Sequence, residues 1–134
     1  YACLGMEQMP VSIQATENTK VLLLDINKIV GSCEKNCSFH HIFISNLLKI
    51  LAIKNRQLNE KMSYISHKTI RSRLETFLYD QAEKAGSYEF EISYNKSELA
   101  DYLCIDRSAM SRELGSMKKE GFLDYTKNKF KLKQ

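Results

Sequence analysis

The chain is poor in the residues that loosen or staple a fold. One proline and five glycines in 134 residues argue against long disordered linkers, because linkers and disordered segments draw heavily on those two residues. Four cysteines, Cys3, Cys33, Cys37 and Cys104, stand at irregular intervals. A chain of this length does not need staples, so they read as thiols and not as a disulfide framework. No charged-then-apolar leader is present. The longest apolar stretch, Ile42 to Ile53, is broken by Ser45, Asn46 and Lys49 and is too short to span a bilayer. No membrane partner and a cytoplasmic location are therefore expected.

Catalytic text is missing as well. There is no nucleophile–base pairing, phosphate loop or metal-ligand spacing, and an enzyme is not expected. His40, His41 and His67 read as surface or helix residues. Cys33-x3-Cys37, even with Cys3, does not match a four-cysteine cluster spacing, so no metal and no cofactor are expected. Cys104 reads as a small buried residue in a turn. The chain begins at Tyr1 and not at methionine, which points to a fragment of a longer protein.

What is present is enough for a core: 43% hydrophobic and 27% charged residues, in about one domain or two small ones. The net charge of +4 is mild, but it is unevenly placed. Residues 105–134 carry Arg107, Arg112, Lys118, Lys119, Lys127, Lys129, Lys131 and Lys133 against Asp106, Glu113, Glu120 and Asp124. That surplus equals the excess of the whole chain. The first 35 residues are near neutral. A basic end suits a polyanion partner; a plainly solvated basic face is the alternative.

Periodicity divides the chain. Val11 to Thr16 (VSIQAT) alternates, and Lys20 to Ile26 (KVLLLDI) is a short apolar run, so two strands are expected. Two strands cannot bury a core alone, which places the rest of their domain upstream of Tyr1. From about Ser38 to Ile65 the period becomes helical. Ile44, Leu48, Leu51, Asn55, Leu58, Met62 and Ile65 follow alternating spacings of 4 and 3, a heptad seam with Asn55 at an a-type position. Two readings stand: a parallel dimer seam, or an amphipathic helix packed on its own domain. The length of the seam and the polar far face (Lys49, Asn59, Ser63) favour the dimer. A second helix is expected from Ser66 to Lys84, with Ile70, Leu74, Phe77, Leu78 and Gln81 along one stripe and Gly86 as its stop. Tyr88 to Tyr94 alternates as a strand.

The densest local text runs from Asn95 to Gly121. Asn95 with Glu98 three residues on has capping-box spacing. Leu99, Ala100 and Leu103 would face inward. A turn at Cys104-Ile105 leads to Asp106, a good N-cap for a second helix. There Met110, Leu114 and Met117 lie on the core side, while Arg107, Ser108, Ser111 and Arg112 lie outward. FLDY, a two-residue turn near Lys127-Asn128 and KFKL then read as a hairpin. Two short capped helices with a wing suit a DNA major groove, where an arginine can read guanine through paired hydrogen bonds. The hydroxyls of Ser108 and Ser111 can bond base or phosphate. Free amides near Lys96 and Ser97 would receive a phosphate, and Lys127, Lys129 and Lys131 would lie along the neighbouring backbone. The plain alternative pairs Arg107 and Arg112 with Asp106 or Glu113 on a wet surface.

ELADYL (98–103), DRSAMSREL (106–114) and EGFLDY (120–125) together resemble the winged helix-turn-helix of the Crp/Fnr family, the relatives of the cyclic-AMP receptor protein. The resemblance implies an α+β, mainly helical fold. Residues 1–36 would be the C-terminal remnant of an effector-binding β-roll, 37–65 a dimerisation helix and 66–134 the winged helix-turn-helix. It implies a homodimeric transcription regulator of double-stranded DNA, with a roughly palindromic operator and RNA polymerase as a partner. Arg107 and Arg112 match the family's base-reading arginines. The family's glutamate after the first arginine is Ser108 here, so the commonest half-site loses its cytosine acceptor. An arginine–serine pair that would hold a cyclic phosphate is replaced by Met9-Pro10, so ordinary cyclic-AMP binding is not expected. From another class, the winged domain and long helix would form a protein-interaction module.

Overall fold

The structure, a computed structural model, describes residues 12–22 and 38–133. Cys3, Cys33, Cys37, Met9 and Pro10 lie outside the described residues, as does most of the expected β-roll remnant. The chain divides into two compact units, residues 1–52 and 53–134.

In the first unit, residues 12–22 carry no strand and are exposed throughout; a bend at 16–18 is closed by the Thr19 hydroxyl, which donates to the Glu17 carbonyl at 2.8 Å. The strands expected at VSIQAT and KVLLLDI are thus absent wherever those segments are described. Alternation alone does not make a strand: the backbone needs a partner ladder. The unit also holds the first turns of helix α1, Ser38–Ile65, whose bounds match the heptad text.

The second unit takes in the last turns of α1, then α2 (Ile70–Ala85), β1 (Glu89–Glu91), α3 (Lys96–Tyr102), α4 (Arg107–Lys119), β2 (Leu123–Thr126) and β3 (Lys129–Leu132). Helix α2 starts four residues later than expected. Ser66 still closes α1, its amide donating to the Met62 carbonyl, and Thr69 is the N-cap, accepting from the Ser72 amide at 3.1 Å. At the other end Gly86 adopts φ 64°, and its amide returns to the Ala82 and Glu83 carbonyls. Such left-handed caps favour glycine.

The three strands form an antiparallel sheet of order β1-β3-β2. Phe90 lies opposite Phe130, which lies opposite Tyr125, and the rings stack at 6.2 and 5.7 Å between centroids. This cross-strand stack fixes the register of the wing. β1 is shorter than the Tyr88–Tyr94 text because the wing turn ends the ladder: the Ile92 amide donates to the Asn128 carbonyl.

One core unites these elements. Leu74, Phe77 and Leu78 from α2, Leu99, Ala100 and Leu103 from α3 and Met110, Leu114 and Met117 from α4 are all buried, with Leu123, Phe130 and Leu132 beneath. Ala82 takes the inward place expected for Gln81, which is half-buried. Tyr64, at the end of α1, is buried too and meets Phe77 edge-on at 5.5 Å. The last turns of α1 therefore pack on this domain through Tyr64, while Leu58 and Met62 remain 64% and 60% exposed. The face of α1 that carries Tyr64 thus packs at home, as an amphipathic helix would, and Leu58 and Met62 of the heptad stripe do not.

Candidate nucleic-acid interface

The two-helix unit is set by local caps. Asn95 Oδ1 accepts from the amides of Ser97 (2.9 Å) and Glu98 (3.0 Å), while Glu98 Oε2 accepts from the Asn95 amide at 2.8 Å. Asp106 Oδ1 accepts from the Ala109 amide at 2.8 Å. Each cap supplies an acceptor to a helix end that lacks one. The Ser97 amide, expected to be free for a phosphate, is therefore already engaged, which leaves the Ser97 hydroxyl and the Lys96 ammonium as the outward groups.

The turn between the helices corrects a second expectation. Cys104 is exposed and not buried, with φ 53°. Leu103 and Ile105 on either side enter the core, and a chain that buries both while reversing turns the residue between them outward. Arg73 holds this turn from α2. Its Nη1 donates to the carbonyls of Leu103 (3.3 Å) and Cys104 (3.0 Å), and its Nε to that of His67 (2.8 Å).

Arg71 fixes α4 itself. Its guanidinium meets Glu120 at 2.6 Å and Glu113 at 3.8 Å, as well as Glu75 at 2.9 Å on its own helix. The hydrogen bond from Arg71, helped by one from Ser116, holds the Glu120 carboxyl below its ordinary pKa. Both acids that flank the outward arginines in sequence are thereby occupied: Glu113 by Arg71 and Asp106 by its cap. Arg107 and Arg112 are exposed and form no ion pair among the described residues. The plain alternative, in which these arginines merely satisfy their neighbours, does not describe this surface.

The structure gathers Lys96, Ser97, Arg107 and Lys127 on the wall of one open groove of about 780 Å³, together with Ser93 and Asn128. Three elements converge there: the start of α3, the start of α4 and the wing turn, where Lys127 adopts φ 55°. Ser108, Ser111 and Arg112 lie along the outward side of α4. Lys129 is set apart, 3.9 Å from Glu91 on β1, and Lys131 meets Glu89 at 3.1 Å. Exposed pairs of this kind contribute little and open easily. Lys96 and Lys118 sit over the Tyr125 ring at 4.9 and 5.5 Å, which anchors the wing to both helices.

One residue escaped the sequence reading. Lys119 lies seven residues after Arg112, two helical turns along the same side, and is exposed with no ion pair among the described residues. Extending the helical period from Arg112 would have found it.

The surface offers what a duplex needs: unpaired guanidinium groups on a helix that projects from a firm core, and ammonium groups on both sides of it. Among the described residues, no helix is long and apolar enough to cross a membrane. A comparison with curated proteins returns no match. Residues 72–134, however, match the family described as the Crp-like helix-turn-helix domain, which spans the segment from α2 to the wing and supports a Crp/Fnr-type regulator that binds DNA.

Proposed function

We propose that the protein binds a roughly palindromic operator as a homodimer, with α4 in the major groove and the wing along the adjacent backbone. Arg107 and Arg112 read bases, with Ser108 and Ser111 beside them. Lys96, Ser97, Lys127 and Lys129 contact phosphates. The observation that carries this reading is that Arg107 and Arg112 have no ion pair among the described residues while Asp106 and Glu113, the acids beside them in sequence, are engaged. Charges left without internal partners on a rigid helix are poised for an external one, and phosphate neutralisation makes such binding strongly salt-dependent.

The dimer reading rests on the stripe of Ile44, Leu48, Leu51, Asn55, Leu58 and Met62. Leu48, Leu58 and Met62 are each at least 60% exposed, an apolar row that a second copy would cover. Asn55 Oδ1 accepts from Asn59 Nδ2 at 3.0 Å, so pairing across a dimer exchanges a bond within the helix for one between helices. RNA polymerase as a partner, a cytoplasmic location and an effector other than ordinary cyclic AMP complete the reading.

Selection from a randomised duplex pool tests it. The expected outcome is an inverted repeat with half-sites about one helical turn, ~34 Å, apart. Leu58→Glu should abolish the dimer in sedimentation and weaken operator binding. Selection of a single unrepeated site, or a dimer that survives Leu58→Glu, would sink the paired reading.

A further inference from the structure

Gly115 stands in the interior of α4, where glycine is less stable than alanine because it gives up more backbone freedom. Two reasons for a glycine fail here. Its φ is not among the positive values, which belong to Gly86 and Gly121, so the backbone does not require it. A Cβ built at residue 115 would meet no atom within 4 Å, so the packing of the protein does not require it either. A helix that gives up stability at a position with open space around it is keeping that space for something outside the molecule.

The neighbours say what that is. Ser108, Arg112, Gly115 and Lys119 follow spacings of 4, 3 and 4, one stripe along the side opposite the buried Met110, Leu114 and Met117. Arg112 lies one turn before the glycine and Lys119 one turn after it, both exposed and neither in an ion pair among the described residues. Long cationic side chains flank a position with no side chain at all.

We infer that Gly115 is a clearance position for duplex DNA. The bare backbone there lets the sugar–phosphate wall of the groove approach α4 closely, between Arg112, which reads a base one turn before it, and Lys119, which reaches that wall one turn after it. This rests on the DNA-binding reading above. A methyl group at residue 115 sits between two surfaces that must touch, and such overpacking typically weakens a contact by about tenfold.

The test is Gly115→Ala in the full chain, with Gly115→Gln and Arg112→Ala beside it. Thermal melting is followed by circular dichroism, and affinity by fluorescence anisotropy on a labelled duplex selected by the unmodified chain. Gly115→Ala should melt roughly 4–8 °C higher yet bind about tenfold more weakly, and Gly115→Gln should lose binding while staying folded. Stability and affinity then move in opposite directions, which a merely structural glycine does not produce. Unchanged affinity in both glycine variants, with binding lost in Arg112→Ala, overturns the clearance role alone. A lowered melting temperature for Gly115→Ala also overturns it, since the protein would then need the glycine for itself. Unchanged affinity in Arg112→Ala overturns the base-reading role of Arg112 and takes this inference with it.

Discussion

Helices α2 and α4 each carry two arginines, and the pairs have opposite surroundings. Arg71 and Arg73 are saturated: one is held by three carboxylates and the other donates to three carbonyls. Arg107 and Arg112 meet no carboxylate among the described residues. The same side chain is mortar in one helix and exposed in the other, and what separates the two surroundings is where the nearby acceptors have been spent. Arg71 removes Glu113 and Glu120 from competition, and the second pair has no ion pair among the described residues.

The largest way to break that contrast is Arg73→Ala. Three carbonyls would lose a charged donor, a change of about 3 kcal/mol in stability, read as an earlier midpoint in urea, and DNA binding should fall with the fold. Next come Arg107→Ala and Arg112→Ala. Each should leave the urea midpoint in place and cost about 1–3 kcal/mol on the selected operator while barely touching random duplex. Equal loss on both duplexes would mean that these arginines hold phosphate and do not read bases.

A smaller effect concerns the engaged side of the contrast. Asp80 on α2 accepts from the Tyr64 hydroxyl at 2.5 Å and pairs with Lys84 at 2.8 Å, and Lys84 also reaches Glu60 at 2.8 Å. Partial burial works against the Asp80 carboxylate, but the bonds from Lys84 and Tyr64 outweigh it and hold its pKa below the ordinary value. A depressed carboxylate stabilises the fold above its unfolded pKa, near 4, and that contribution is lost as pH falls through the lower folded value. Melting temperature should therefore drop on acidification below about pH 4, and less steeply in Asp80→Asn. The smallest effect is Lys119→Ala, expected to weaken every duplex alike and to reduce the salt slope by about one.

Local features of this fold were legible because their physics is local. Asn95 and Glu98 are three residues apart, and both halves of their capping box formed; Asp106 capped the next helix, and Met110, Leu114 and Met117 turned inward as their spacing required. The outward face of α4 was legible for the same reason. The support behind it was not. Arg73 reaches carbonyls some thirty residues away, and nothing in RSRLE distinguishes a surface arginine from one that holds a distant turn. Cys104 was misread because residue type alone suggested burial, whereas its conformation is set by the buried residues beside it. VSIQAT was misread because period-two text has no strand without a neighbour.

Helix α2 is gripped near both ends. Toward its C-terminus Asp80 and Lys84 hold Tyr64 and Glu60 of α1; toward its N-terminus Arg71 and Arg73 hold α4 and the turn before it. A helix clamped in this way behaves as a strut, which passes on displacement without altering what sits at its far end. A displacement of the last turns of α1 is therefore expected to shift the outward face of α4 as a whole, while the side chains that face presents stay the same.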